Sequence, residues 1–220
     1  MCLCFTPAAT GEEKVLNGAK AYPSSFKGND YRCKFCNTLP IVDNEPADAF
    51  KLKEALYDKV YLWFTTPGSG PGLSTNEEKP ICVMLDYNGL EQRESGIING
   101  RYHRDTKIIT VARAVTPVMF IAIFAHELTH YWQDQQGLPD KQEKMIYEGF
   151  AEWVAYTCLT TMLPGFTEER DKQEAPRMLE QMKSNLSLAY SDGLKHFLKI
   201  EKTQGRAGVL LEAQKVEKEV

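Results

Sequence analysis

Nowhere does the sequence string together the ~20 apolar residues that a bilayer-crossing helix requires, so an integral membrane role is not expected. No long basic run is present, and the net charge is −4, which argues against nucleic acid as the main partner. The start, Met1-Cys2-Leu3-Cys4-Phe5-Thr6-Pro7, has neither the basic segment nor the apolar segment of a secretory signal. There is no internal repeat. Cysteine is sparse too: six residues, four of them in the close pairs Cys2/Cys4 and Cys33/Cys36. Such spacing suits a metal or redox site better than a secreted disulfide framework. A cytoplasmic protein is the expectation. Histidine is scarce, four in 220, and two of the four stand four positions apart.

What is present divides into two parts. Residues 1–45 hold Gly, Pro and Cys with little periodicity and read as an N-terminal appendage. Residues 46–220 read as one domain. Ala49, Leu52 and Leu56 have helical spacing, and Val60-Tyr61-Leu62-Trp63-Phe64 is β-prone. A Pro/Gly-rich surface loop covers 66–72. Strands are expected at Ile81–Leu85, at Gly96-Ile97-Ile98 and at Lys107–Val111, with turns at Asn88-Gly89 and Asn99-Gly100. From 116 the pattern becomes helical. Thr116 and Pro117 fit a helix start, and Gly137 fits its end. Asp140 and Glu143 resemble a capping box for a second helix running towards Leu163. A third helix is expected from near Pro176, and a last one over 206–218. Strands followed by helices indicate an α+β fold.

The chemistry concentrates in His126-Glu127-Leu128-Thr129-His130. Residues four apart share one helix face, so both imidazoles can reach one zinc ion. Glu127, at the edge of that face, can reach a zinc-bound water and serve as general base. Catalytic zinc needs a third protein ligand, and Glu148 on the returning helix is the candidate. Glu152, one turn later, can accept a hydrogen bond from a ligand histidine and fix its tautomer. Gly149 would let two helices approach closely.

His126-Glu127-x-x-His130 followed by Glu148-Gly149-Phe150-Ala151 resembles the gluzincin clan of zinc metallopeptidases, including its aminopeptidases. Tyr190-Ser191-Asp192-Gly193-Leu194, Gly205 and Val209-Leu210-Leu211 resemble the tail of the minimal gluzincins. The closest likeness is to the ubiquitin-activated, LIM-linked plant peptidases that restrict organ growth. The resemblance implies a zincin-like fold: a small mixed sheet, an active-site helix and a mainly helical C-terminal subdomain. It implies His126, His130 and Glu148 as zinc ligands. It also implies an edge strand that receives an extended peptide, for which Thr106–Val111 is the candidate. Tyr190 is the candidate for holding the oxyanion, while His103 and His196 are expected in surface or packing roles. A ubiquitin link follows from the resemblance alone.

Cys33-x-x-Cys36 with Cys2-x-Cys4 could hold a second, structural zinc. The alternative is four free thiols. Cys82 and Cys158 read as ordinary buried thiols. The function expected is a zinc-dependent peptidase acting on a peptide or protein substrate, with endopeptidase favoured over aminopeptidase. The rival reading is a silent or latent zinc-binding interaction protein recruited through the Cys cluster. In the latent form, the 66–72 loop and the charged stretch 168–174 would be gates.

Overall fold

The computed structural model describes residues 47–68, 70–74, 79–85, 92–93, 96–97, 100–112, 115–138, 142–184 and 187–215. Cys2, Cys4, Cys33 and Cys36, the turn at Asn88-Gly89, and Asp140 lie outside the described residues. The architecture is α+β, mostly helical, with one small mixed sheet.

Helix α1 spans Ala47–Thr65 and so takes in the 60–64 run expected to be a strand. Packing decides this. Strand alternation would put Val60, Leu62 and Phe64 on one face, yet Val60 and Phe64 are fully buried while Leu62 is 67% exposed. A helical face through Leu56, Tyr57, Val60, Trp63 and Phe64 overrides the β-propensity of the residues.

The sheet has the order β1-β5-β4, with β1 at Ile81–Leu85, β4 at Gly100–His103 and β5 at Ile108–Ala112. Strand β1 runs parallel to β5, pairing Ile81 with Ile108 through Leu85 with Ala112. Strand β4 is antiparallel to β5, pairing Gly100 with Val111 through His103 with Ile108. Two short strands, β2 (Gln92–Arg93) and β3 (Gly96–Ile97), make a separate ladder. Gly100, expected in a turn, therefore opens a strand.

Helix α2, Pro117–Gln135, begins as its sequence indicates: the Thr116 hydroxyl accepts from the Met119 amide at 3.1 Å. It ends ahead of Gly137, which takes φ +67. Helix α3 covers Lys144–Met162. Its N-cap is Glu143, with no side-chain cap bond, so Glu143 is not the inner member of a capping box. A 3-10 turn at Leu163–Gly165 leads to α4, Glu169–Lys183. That helix starts ahead of the expected Pro176 and encloses it. The buried face of Asp171, Ala175, Leu179 and Met182 sets its course despite the missing proline N–H.

Helix α5 runs Leu188–Ala213 and is broken at Gly205, where φ 68 and ψ −173 are open to glycine alone. Only its second limb was expected to be helical. Phe150 and Phe197 pack across α3 and α5, and both are fully buried. Each such burial contributes about 1.5–3 kcal/mol. No helix among the described residues is long and apolar enough to cross a membrane.

Candidate metal centre

Helices α2 and α3 bring His126, His130 and Glu148 together, with one ligand atom from each all within 4.8 Å. The two Nε2 atoms are 3.0 Å apart. Glu148 Oε2 lies 3.4 Å from the His126 Nε2 and 3.3 Å from the His130 Nε2.

The other ring nitrogens are already committed. His126 Nδ1 is 3.1 Å from Glu152 Oε2, a carboxylate that can only accept. His130 Nδ1 is 2.8 Å from Gln133 Oε1. The Gln133 amide cannot be turned round, because its Nε2 donates to the Tyr147 carbonyl at 2.9 Å. Both Nδ1 atoms therefore carry a proton, and each ring, when neutral, presents a bare Nε2 lone pair to the other. Two lone pairs and a carboxylate oxygen converge, and that buried oxygen has no hydrogen-bond partner. Like poles in a buried site are unfavourable unless a cation lies between them. The donor set, two imidazoles and one carboxylate, suits a divalent transition metal. Glu152 and Gln133 supply the outer hydrogen bonds that metal-ligating histidines use.

A second proton on His126 is the other cation this pocket can take. Burial works to lower the His126 pKa, but Glu148 and Glu152 override it and raise it well above the usual value. Burial works to raise the Glu148 carboxyl, but His126 and His130 hold it below the usual carboxylate range. The pocket draws positive charge.

Aromatic rings wall this cluster on two sides. Tyr190 stacks on His126 at 5.7 Å between centroids and 12° between planes. Tyr147 stacks on His130 at 4.5 Å and 13°. Burial, then the negative charge of Glu148, pushes both phenols upward, so both remain protonated at neutral pH. Tyr190 reaches the site because α3 and α5 cross in backbone contact. A Cβ on Gly149 would lie 2.5 Å from the Gly193 Cα, and a Cβ on Gly193 would lie 2.6 Å from the Met145 carbonyl oxygen.

Glu127 is 9% exposed and faces the sheet. Its Oε2 accepts from the Tyr102 amide of β4 at 2.7 Å. The strand beside the site is thus β4, and the expectation for Thr106–Val111 is corrected. Strand β5 is central and hydrogen-bonded on both sides, which leaves it no edge for a peptide.

His103 and His196 lie outside the metal group: His103 Nε2 contacts Thr110 Oγ1 at 3.0 Å, and His196 Nε2 pairs with Glu212 at 3.1 Å. Cys158 is buried and Cys82 half-buried. Of the two expected gates, 169–174 is part of α4, and the 66–72 loop is tied to α5 by Arg206. Its Nη1 donates to the Gly68 and Gly70 carbonyls at 3.2 and 3.0 Å.

Sequence reasoning missed Gln133, Tyr147 and Tyr102. Gln133 had a signal, because it stands three residues after His130 on the same helix face. Tyr147 directly precedes Glu148. Nothing local marks Tyr102. No protein-family model matches the chain, and neither does any curated protein or solved structure.

Proposed function

We propose that the protein is a zinc-dependent peptidase of the gluzincin type, cleaving peptide bonds with a glutamate as general base. The observation that carries this reading is the convergence of His126 Nε2, His130 Nε2 and Glu148 Oε2, with both Nδ1 atoms tied elsewhere. The mixed sheet beside α2 is consistent with a zincin-like fold.

Bound zinc would polarise the scissile carbonyl and acidify a water molecule. His126, His130 and Glu148 would hold the ion, while Glu152 and Gln133 keep the rings in the ligating tautomer. Glu127, fixed by the Tyr102 amide, takes the proton of the attacking water on its carboxylate. It then returns that proton to the leaving nitrogen. The Tyr190 hydroxyl, kept protonated by burial and by Glu148, donates to the oxygen on which negative charge develops. An extended substrate segment lies along the outer edge of β4 by strand addition. An endopeptidase is favoured over an aminopeptidase.

The test is the zinc content of protein purified without added metal, read with cleavage of a quenched fluorescent peptide mixture. One zinc per chain is expected, lost in Glu148→Ala. Glu127→Gln should keep the zinc and lower turnover by about 10²–10⁴-fold, the usual weight of a general base. Full cleavage by Glu127→Gln would refute the mechanism. A chain that takes up zinc yet cleaves nothing would favour a silent or latent zinc-binding protein.

A further inference from the structure

Two turns beyond Glu127 on α2, Asp134 gathers three groups from the hairpin of β4 and β5. The Tyr102 hydroxyl donates to its Oδ2 at 2.8 Å, and Lys107 Nζ pairs with the same oxygen. Arg104 Nε lies 3.4 Å from Oδ1. The Asp134 side chain is only 11% exposed, so its carboxylate is largely withdrawn from water while the cations that reach it are not.

Tyr102 is consequently held to α2 at both ends. Its amide donates to Glu127, its hydroxyl donates to Asp134, and its ring packs edge-on against Tyr131 at 5.7 Å and 75°. The strand cannot ride higher or lower on the helix without breaking one of these contacts. At its start Gly100 leaves no slack, since a Cβ there would lie 2.2 Å from the Ile123 Cγ2 and 3.2 Å from the Glu127 Cγ. The turn pays into the same anchor: Lys107, at φ 56, holds a left-handed backbone that a side chain disfavours, with its ammonium on Asp134.

We propose that Asp134 is a positioning residue: acting through Tyr102, it fixes the height of β4 on α2 and thereby aims the Glu127 carboxylate. The proposal rests on Glu127 being the general base. The Asp134 carboxylate contacts Tyr102, Arg104 and Lys107, none of them a metal-ligand candidate. Its loss should leave metal binding alone and act on the strand and on the chemical step. A group that merely stabilised the fold would move all three together.

The experiment uses the full chain with Asp134→Ala, Asp134→Asn and Tyr102→Phe. Three quantities are read: zinc affinity, hydrogen exchange of the amides over 100–103, and kcat and KM on the quenched peptide mixture. Asp134→Ala should bind zinc as the parent does, exchange its β4 amides faster, and lose kcat by on the order of 10²-fold, the usual cost of a small misplacement of a catalytic group. Asp134→Asn, which keeps an acceptor for the Tyr102 hydroxyl, should recover part of the loss. Unchanged protection of β4, or zinc affinity falling in step with kcat, would overturn the proposal. Should Asp134→Ala fail to fold, Tyr102→Phe removes only the hydroxyl link: faster exchange supports the proposal and unchanged exchange overturns it. If the parent cleaves no peptide while β4 exchange responds to Asp134, the anchoring of β4 on α2 stands, and the peptidase reading falls together with the aiming of Glu127 as its base.

Discussion

The two walls of the candidate metal centre are built from different materials. On the helical side, α3 and α5 meet backbone to backbone at Gly149 and Gly193, surrounded by Phe150, Trp153 and Phe197, all fully buried. On the strand side, β4 is attached to α2 by hydrogen bonds and charge: the Tyr102 amide on Glu127, and Tyr102, Arg104 and Lys107 around Asp134. Close packing has little give, because van der Waals repulsion rises steeply. Polar clamps have graded strength and respond to salt. The helical wall therefore sets where Glu148 and Tyr190 lie, and the strand wall sets where the Glu127 carboxylate points.

The largest effect should come from breaking the packed wall. In Gly193→Val even the first added carbon meets backbone at 2.5 Å, which a flexible side chain cannot relieve. Overpacking of this kind costs about 1–3 kcal/mol and can exceed that where only backbone can move. Urea unfolding should show the loss. A variant as stable as the parent would mean that the helices do not cross so closely.

An intermediate effect should come from the joint between the walls. Gln133 is fully buried on α2, with one end on His130 and the other on the Tyr147 carbonyl. Gln133→Ala should lower zinc affinity by about 10–100-fold, as loss of an outer hydrogen-bond partner does elsewhere. Competition with a chelator reads this directly. Gln133→Glu should recover only part, since its carboxylate would face the Tyr147 carbonyl.

The smallest effect should come from the clamp's outermost member. Lys107→Gly removes an ammonium whose side chain is 43% exposed, and such pairs contribute about 0–1 kcal/mol. It also relieves a left-handed backbone that costs a side-chain-bearing residue roughly 1–2 kcal/mol. The two should nearly cancel, with a slight net gain in stability and a weaker dependence on salt. A marked loss would show that the clamp is worth more than its exposure suggests, and would blur the contrast between the walls.

Much of the ligand set was legible in the sequence. His126 and His130 share a face by spacing alone, Gly137 turns the chain back, and Glu148 arrives opposite them on α3. The strand wall was not legible. Gly100-Arg101-Tyr102-His103 is too short to show alternation, and Asn99-Gly100 carries the signature of a turn. Tyr102 acquires its two roles only when β4 is laid across α2, a contact between residues 25 and 32 apart in the chain. The misreading of 60–64 has the same origin. Its β-branched and aromatic residues were weighed by local preference, whereas the core they enter was not visible from neighbours in sequence. The cysteine pairs have no structural counterpart among the described residues.

Order of synthesis gives the Gly149–Gly193 crossing one further consequence. A chain emerging N-terminus first exposes His126, His130, Glu148 and both tautomer-fixing partners, Gln133 and Glu152, once α3 is complete. Tyr190 and Gly193 belong to α5 and arrive later. Until then the α3 face carrying Phe150 and Trp153 lacks its Phe197 cover, and the Trp153 indole lacks its Glu201 acceptor. A nascent chain halted after Met162 would thus already contain every candidate for holding the ion, with the apolar back of the site still open to water.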